Sequence, residues 1–233
     1  MREVVLCVLG LGLVACRGEV IDEPVDGNPP ELTAALRVLH TVVGVPAIDV
    51  VVDDSTVVAG LVAGMVSPFV PMPDGGRAIG FRPSGTTAAV STHVLALAVG
   101  DSLTILTIDS ATVLNPWVLT DTGAVVPPNR SKLRALHFAD LAPAIDIWRT
   151  QPDWGTPITF MFPHNFRDIT PYTESDPGDW TVLVSSRQRQ NGVPVLRDTL
   201  LLTDTIPVPA GESRTVIILD RSGGGLAYQV IAP

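Results

Sequence analysis

The chain has 233 residues, of which 46% are hydrophobic and only 17% are charged. Its 20 glycines and 21 prolines are above average usage and argue against a coiled coil or a bundle of long helices, while its hydrophobic content argues against a disordered chain. With 15 basic and 24 acidic residues the net charge is −9, which argues against binding to nucleic acid or electrostatic binding to anionic lipid.

The N-terminal segment has the pattern of a bacterial lipoprotein signal. Residues 4–14 form one apolar run, which is too short to cross a membrane as a helix of roughly 20 residues but fits the central region of a secretory signal. The run ends in Leu13, Val14, Ala15 and Cys16, which resemble the lipobox that a peptidase cleaves before a lipid-modified cysteine. We therefore predict a signal peptide over residues 1–15 and a lipid on Cys16. The alternative is a buried N-terminal strand or helix with an incidental cysteine.

The segment after the predicted anchor is acidic and rich in proline. Residues 17–31 contain five acidic residues, one basic residue and three prolines, a composition that favours a disordered tether over residues 16–31. The membrane would then be reached through the lipid on Cys16 and not through a spanning helix. Because Arg17 and not aspartate follows Cys16, resemblance to sorted lipoproteins implies the outer membrane of a bacterial cell envelope. Cys7 would leave with the signal peptide, so the mature chain would have no disulfide.

The rest of the chain contains an internal repeat. LRVLH at residues 36–40 is matched 97 residues later by LRALH at 133–137, and PAIDV at 46–50 is matched at the same offset by PAIDI at 143–147. Two further blocks repeat at offsets of 103 and 111 residues: SPF at 67–69 with TPY at 170–172, and GDSLT at 100–104 with GESRT at 211–215. Ordered matches whose offsets grow only between blocks indicate two copies, with short loop insertions in the second.

Each copy has the pattern of an antiparallel β-sandwich. Short runs rich in β-branched residues alternate apolar and polar side chains, and clusters of Gly, Pro and Asp separate them. About seven such runs in about 95 residues are typical of a sandwich. We predict an all-β protein with two tandem antiparallel, immunoglobulin-like β-sandwich domains, over residues 32–126 and 130–233, after the signal peptide and the acidic tether.

The repeated blocks resemble domain of unknown function 4397, a family of exported and surface-anchored bacterial and archaeal proteins. The resemblance lies in LRxLH followed by PAIDV or PAIDI, then a Ser/Thr-Pro-Phe/Tyr step, then Gly-Asp/Glu-Ser-x-Thr, and it covers both copies. It implies export and a β-sandwich fold. Because the family has no established activity, the resemblance assigns no catalytic residue.

Two histidine–aspartate pairs recur between the copies. His40 and Asp49 of the first copy correspond to His137 and Asp146 of the second. One interpretation is a metal or ligand site, since imidazole and carboxylate are common ligands, but no third ligand repeats beside them. The other interpretation, which we favour, is structural: the histidine bonds the aspartate or the backbone around it and fixes the intervening loop. We therefore predict no metal site.

A second group of polar residues forms an acidic turn in the second copy. Residues 174–179, ESDPGD, offer oxygen ligands for calcium but lack the spacing of a calcium-binding loop. Proline and glycine flanked by aspartate are ordinary turn residues, so we expect a turn.

Aromatic residues are concentrated in the second copy. If exposed together they could stack on sugar rings, and if buried they fill the core between two sheets. They are Trp148, Trp154, Phe160, Phe162, Tyr172 and Trp180. Trp154, in the turn-like segment QPDWG, is the weakest candidate for the core and thus the candidate contact residue.

The sequence lacks the common enzyme signatures. It has no G-x-S-x-G elbow, P-loop, H-E-x-x-H or C-x-x-C motif. We expect a protein without catalytic activity or cofactor, which serves as a surface binding or scaffold module for a protein or glycan partner. The alternatives are a carbohydrate-binding module that uses the aromatic residues of the second copy and a hydrolase with an unrecognised site.

Overall fold

The computed structural model describes residues 33–110, 113–120, 125–152, 156–160 and 164–233. The predicted signal peptide, Cys16 and the tether lie outside the described residues, as do Trp154 and Phe162. Contacts along the chain group Leu32–Pro233 into one unit.

The predicted all-β class is confirmed, because the described residues form strands and no helix. Half one consists of β1 (Thr33–Leu39), β2 (Ile48–Val52), β3 (Ser55–Leu61), β4 (Val70–Pro73), β5 (Gly75–Pro83), β6 (Ser91–Leu97), β7 (Ser102–Ser110) and β8 (Val113–Thr120). Half two consists of β9 (Ser131–Phe138), β10 (Ile145–Thr150), β11 (Ile158–Thr159), β12 (Thr173–Ser175), β13 (Gly178–Ser186), β14 (Arg189–Gln190), β15 (Val193–Pro194), β16 (Thr199–Leu202), β17 (Ile206–Val208), β18 (Ser213–Asp220) and β19 (Leu226–Ile231).

Both halves contain two sheets with corresponding strand orders. In each half, the sheet that faces the other half is termed the inner sheet. The inner sheets have the orders β4-β1-β7-β8 in half one and β12-β9-β18-β19 in half two. The outer sheets have the orders β3-β2-β5-β6 and β11-β10-β13-β16, and β17 also pairs with β13. β14 and β15 form a separate hairpin. Half two thus repeats the strand order of half one and adds the hairpin and β17.

One strand pair in each half departs from the predicted antiparallel arrangement. β1 pairs with β7 in parallel, and β9 pairs with β18 in parallel. Every other pair of strands in the described residues is antiparallel. Parallel neighbours need a long crossover, and the chain between them supplies one by building the outer sheet. The alternation of side chains is the same in both pairings, so the sequence pattern could not distinguish them.

Side chains on the two faces of each inner sheet enter different cores. In β1, Leu36 and Val38 pack between the two sheets of half one, whereas Leu39 points to the opposite face. In β9, Leu133 packs between the sheets of half two, whereas Leu136 points away from them. The inner sheets are therefore buried on both faces, and their central strands β9 and β18 are buried along almost their whole length, polar residues included.

The outward faces of the two inner sheets pack against each other in a third core, termed the seam. The buried residues of the seam are Leu39, Leu106, Ile108 and Leu119 from half one, and Leu136, Phe138, Ile217, Leu219 and Ile231 from half two. Several of these seam residues occupy corresponding positions in the two sequence repeats. The same face of the corresponding strands therefore packs into the seam from each half. The two halves are thereby joined through a hydrophobic core as well as through the chain.

Each repeated arginine lies on the seam side of its inner sheet. In half one, Arg37 Nε donates to Thr104 Oγ1 at 2.8 Å, and its guanidinium lies 4.3 Å from the ring centre of Phe69. A terminal nitrogen of Arg37 also donates to the carbonyl oxygen of Ala232 in half two, at 2.6 Å. Stacking on an aromatic face and hydrogen bonding compensate the burial of this charge.

Half two repeats the same arrangement, termed the arginine clamp. Arg134 Nε donates to Thr215 Oγ1 at 2.9 Å, and its guanidinium lies 4.3 Å from the ring centre of Tyr172. The hydroxyl groups of Tyr172 and Thr215 are 3.0 Å apart. The arginine comes from LRxLH, the ring from the Ser/Thr-Pro-Phe/Tyr step and the threonine from Gly-Asp/Glu-Ser-x-Thr. Three blocks that are distant in sequence therefore meet at one contact in each half.

The serine or threonine of the Ser/Thr-Pro-Phe/Tyr step has its own backbone contact. Ser67 Oγ accepts a hydrogen bond from the N–H of Val38 at 2.9 Å. Thr170 Oγ1 accepts the equivalent bond from the N–H of Ala135, also at 2.9 Å. Each hydroxyl thus accepts a hydrogen bond from a backbone N–H of the strand beside the clamp. This bond fixes the position of the aromatic ring two residues later.

We predict that Arg134→Lys destabilises the protein. Lysine has no Nε–H that can reach Thr215 while a planar group stacks on Tyr172, so both contacts of a buried charge are lost. The free energy of unfolding, measured by chemical denaturation, should fall by about 1–3 kcal/mol. Arg221→Lys, at an exposed position, is the matched control and should change it by less than about 0.5 kcal/mol. Equal effects of the two substitutions would show that the clamp does not contribute to stability.

Candidate functional site

The C-terminal ends of four inner strands meet around a cavity between the halves. Residues that follow or end β1, β7, β9 and β18 line this strand-end cavity, whose volume is about 90 Å³. Its apolar lining includes Val42, Val43, Ile108, Phe138, Leu141 and Phe166. Its carboxylates are Asp109, Asp140 and Asp220. A cavity of this size could contain about three water molecules, or one side chain with little space to spare.

An arginine from half two pairs with one of these carboxylates in half one. Arg167 Nη2 lies 2.8 Å from Asp109 Oδ1, and the guanidinium lies 5.0 Å from the ring centre of Phe166 and 5.6 Å from that of Trp117. The side-chain amide of Asn115 donates to the other oxygen of Asp109. Asp109 is therefore paired with a cation, and Arg167 joins the halves beside the cavity.

The other two carboxylates have fewer partners within the protein. Asp220 Oδ2 accepts a hydrogen bond from the N–H of Leu141 at 3.1 Å, and the Asp220 residue is only 9% exposed. Asp140 is exposed to solvent. The negative charge of the cavity is therefore neutralised mainly on the side of Asp109.

An apolar groove adjoins the strand-end cavity. This leucine groove has a volume of about 270 Å³ and shares Leu141 and Asp220 with the cavity. Ala142, Pro143, Leu200 and Leu226 supply most of the remaining apolar lining, beside the glycines of the turn between β18 and β19. Leu141 is 77% exposed and Leu200 is 44% exposed, so leucine side chains face solvent at its rim. The cavity and the groove together form a surface that is acidic at one end and apolar at the other.

The histidine and aspartate of the first predicted pair bind different groups. His40 Nδ1 lies 3.0 Å from Thr107 Oγ1; burial lowers the pKa of His40, and the backbone carbonyl of Pro46 partly offsets this effect. Asp49 accepts hydrogen bonds from the hydroxyl of Ser84 at 2.7 Å and from the backbone N–H of Gly60 at 2.9 Å. These hydrogen bonds are the main reason that the pKa of Asp49 is lowered.

The second pair is arranged in the same way. His137 Nε2 lies 3.4 Å from the carbonyl oxygen of Pro143, and burial is the main reason that its pKa is lowered. Asp146 is fully buried and binds Arg189 through two hydrogen bonds of 2.5 and 3.1 Å. Each histidine therefore faces the backbone three residues before its aspartate, while the aspartate anchors a different segment. In half two that segment is the hairpin β14–β15, which half one lacks.

The acidic segment 174–179 spans the end of β12, a short connection and the start of β13. Arg130 forms ion pairs with Glu174, at 3.0 Å, and with Asp176. The two carboxylates are therefore paired with an arginine side chain across the turn.

The aromatic residues of half two that the structure describes participate in packing. Trp148, Phe160 and Trp180 are all buried, and Tyr172 belongs to the arginine clamp. The guanidinium of Arg149 lies between the rings of Phe160, at 5.3 Å, and Trp180, at 4.9 Å. These four rings do not form an exposed stripe of the kind that stacks on sugars.

The described residues contain neither a cluster of metal-ligating side chains nor a membrane-spanning helix. None of the described His, Cys, Asp and Glu residues form a group of three or more that could hold a metal ion. In the same part of the chain there is no helix long and apolar enough to cross a membrane.

Comparison with known protein families gives a match that includes the repeated motifs of half one and the first two of half two. Residues 34–148 match the family described as Domain of unknown function (DUF4397). This match supports the resemblance seen in the repeated blocks, and it extends from β1 into β10. No curated protein matches the chain. Among solved structures, a leucine-rich repeat protein from Bacteroides thetaiotaomicron VPI-5482 matches at 10% identity and a TM-score of 0.22, over 79% of this chain and 26% of that chain.

The strand-end cavity could not be predicted from the sequence. Asp109 and Asp220 are separated by 111 residues, the offset of the last repeated block, but nothing in the sequence places them in one cavity, because the stacking of the inner sheets brings them together. Arg167 lies outside the repeated blocks, and its counterpart in the first copy is a different residue. The offset of 103 residues that relates SPF to TPY also pairs Gly64 with Arg167, and this is the sequence signal of the difference.

We predict that acid weakens the fold through the two buried histidines. Both pKa values are lowered in the folded state, so below about pH 6.5 the unfolded chain binds protons that the folded chain does not. The free energy of unfolding should therefore decrease as the pH falls from about 6.5 towards the folded pKa values, by up to about 1.4 kcal/mol per pH unit for each histidine. Denaturation curves between pH 8 and 5 should show a smaller slope for His137→Gln and for His40→Gln. An unchanged slope in both variants would contradict this origin.

Proposed function

We propose that this protein is a lipid-anchored bacterial envelope module that binds a partner protein without catalysing a reaction. The lipid would be attached at Cys16, and the proline-rich acidic segment 17–31 would be the tether. The resemblance to sorted lipoproteins favours the outer membrane. The observation that carries the proposal is the position of the strand-end cavity relative to the point where the tether joins the fold.

Thr33, where the described fold begins, and the strand-end cavity are at opposite ends of β1. The tether leads into Thr33, the first residue of β1, whereas Thr41, Val42 and Val43 of the cavity follow its last residue, Leu39. Seven strand residues span roughly 23 Å. The cavity and the leucine groove therefore lie at the end of β1 opposite to Thr33, away from the point where the predicted tether joins the described fold.

The surface at this end favours binding of a protein. The cavity and the groove lie below or near the lower limit of common small-molecule sites, about 300 Å³. The exposed leucines at the groove and the adjacent carboxylates resemble the mixture of apolar anchor and polar rim found at protein interfaces. Leu200 lies within β16 and Asp220 ends β18, so these parts of the surface need little ordering on binding.

We further propose that half two is a second copy of the same family domain. The corresponding strand orders, the parallel pair in each inner sheet and the arginine clamp support this assignment. The predicted domain limits, 32–126 and 130–233, place the boundary between β8 and β9.

The lipid anchor predicts a specific intact mass. The native protein should have the mass of a chain that begins at Cys16 plus its acyl groups, and it should partition with membranes. Cys16→Ser should be uncleaved or should lose the acyl mass. An unlipidated wild-type chain that still begins at Met1 would contradict the anchor and would place residues 4–14 in the mature protein.

The binding surface predicts position-dependent cross-linking in the envelope. A photo-reactive amino acid at Leu141, which is 77% exposed at the cavity and groove, should yield one discrete protein adduct in cells. The same amino acid at Val94, which is 76% exposed on β6 of the outer sheet, is the matched control and should yield none. Equal adducts at both positions, or none at Leu141, would contradict a binding surface at the strand ends.

A further inference from the structure

The cavity carboxylates of the two halves are paired differently. Asp109 and Asp220 are repeat counterparts at the ends of β7 and β18, and both line the strand-end cavity. Asp109 pairs with Arg167 of half two. By symmetry, a residue of half one takes the corresponding place relative to Asp220.

Backbone contacts identify Gly64 as the counterpart of Arg167. The N–H of Arg167 donates to the carbonyl oxygen of His137 at 2.7 Å, and the N–H of Gly64 donates to the carbonyl oxygen of His40, also at 2.7 Å. Both residues have left-handed backbone angles, with φ of 73° for Arg167 and 85° for Gly64. Glycine has no side chain, so half one supplies no guanidinium to match the pair between Arg167 and Asp109.

We propose that Asp220, with Asp140 beside it, binds an arginine side chain from a partner polypeptide. This inference rests on the proposed function and specifies the chemistry of the same surface. The incoming guanidinium would reproduce, from outside the chain, the contact that Arg167 makes with Asp109. An aliphatic side chain next to that arginine would enter the leucine groove.

Charge complementarity supports a cationic occupant. The chain carries a net charge of −9, and of the three cavity carboxylates only Asp109 has an arginine partner among the described residues. Asp220 is 9% exposed, so a charged partner would meet a carboxylate that is largely removed from water, where ion pairing is strong. A guanidinium can also bind a carboxylate through two parallel hydrogen bonds, which a lysine ammonium cannot do.

The apolar part of the partner is indicated by the connection between cavity and groove. Leu141 and Asp220 line both spaces. When one side chain of the partner is bound at Asp220, the adjacent residue of the partner would therefore lie at the groove. Leu200 and Leu226 on the other side of the groove offer apolar contact to an aliphatic residue. A short Leu-Arg sequence satisfies both requirements.

The test uses a Leu-Arg probe and the native lipidated protein in detergent micelles. Acetyl-Leu-Arg-amide should shift the amide resonances of Leu141, Asp220 and Gly224 in a saturable manner. Acetyl-Leu-citrulline-amide has a similar shape without the charge and should bind at least about tenfold more weakly, the loss expected for a charged hydrogen-bonded pair. The affinity for the arginine probe should also fall as salt is added.

Variants locate the bound group. Asp220→Asn keeps an oxygen that can accept the N–H of Leu141, and it should weaken binding of the arginine probe at least about tenfold. Asp140→Asn changes an exposed side chain and should weaken binding without affecting the fold. Asp54→Asn, at an exposed position outside the cavity, is the control and should leave binding unchanged. Thermal unfolding of each variant shows whether it remains folded.

The result distinguishes this inference from the proposed function. Equal binding of the arginine and citrulline probes, or unchanged binding by Asp220→Asn, would overturn the arginine assignment. If the probe fails while Leu141 still cross-links to a partner in cells, the partner uses other chemistry and the binding surface stands. If neither experiment gives a signal, both proposals are wrong.

Discussion

Burial of an arginine side chain in each inner sheet is the constraint on which the rest of the fold depends. Arg37 and Arg134 lie on the seam side of their sheets, where a charge is costly unless it is hydrogen-bonded and stacked. Each needs a threonine from the neighbouring parallel strand and an aromatic ring from the connection before β4 or β12. The arginine clamp therefore explains why three separate sequence blocks recur together in both copies.

The seam turns two sandwiches into one unit with a shared end. Because the inner sheets pack through Leu39, Leu136 and their neighbours, the halves are held in a defined relation by apolar contact. Arg37 adds a hydrogen bond to Ala232 across the same interface. As a result, the C-terminal ends of β1, β7, β9 and β18 surround one cavity. The candidate site is a consequence of sheet stacking, and neither half could form it alone.

The halves keep the same strand order but differ where side chains reach the surface. Arg167 corresponds to Gly64, so one cavity carboxylate has an arginine partner within the chain and its counterpart does not. On the outer sheet, Asp146 fastens the hairpin β14–β15 through Arg189, whereas Asp49 binds groups at the ends of neighbouring strands. The buried contacts are the same in both halves, whereas the residues at the strand ends differ and make the paired surface asymmetric. Under the proposed function, that asymmetry gives a partner a single binding orientation.

The sequence by itself determined the all-β class, the repeat and the blocks that supply the arginine clamp, because alternation and matched blocks are local properties of the chain. It did not determine that β1 and β7 are parallel, since both pairings give the same alternation. Nor could it show the seam, because a strand that is apolar on both faces does not reveal what covers the second face. The partners of His40 and Asp49, and the meeting of Asp109 with Asp220, depend on strand register and sheet stacking, which only the tertiary structure decided.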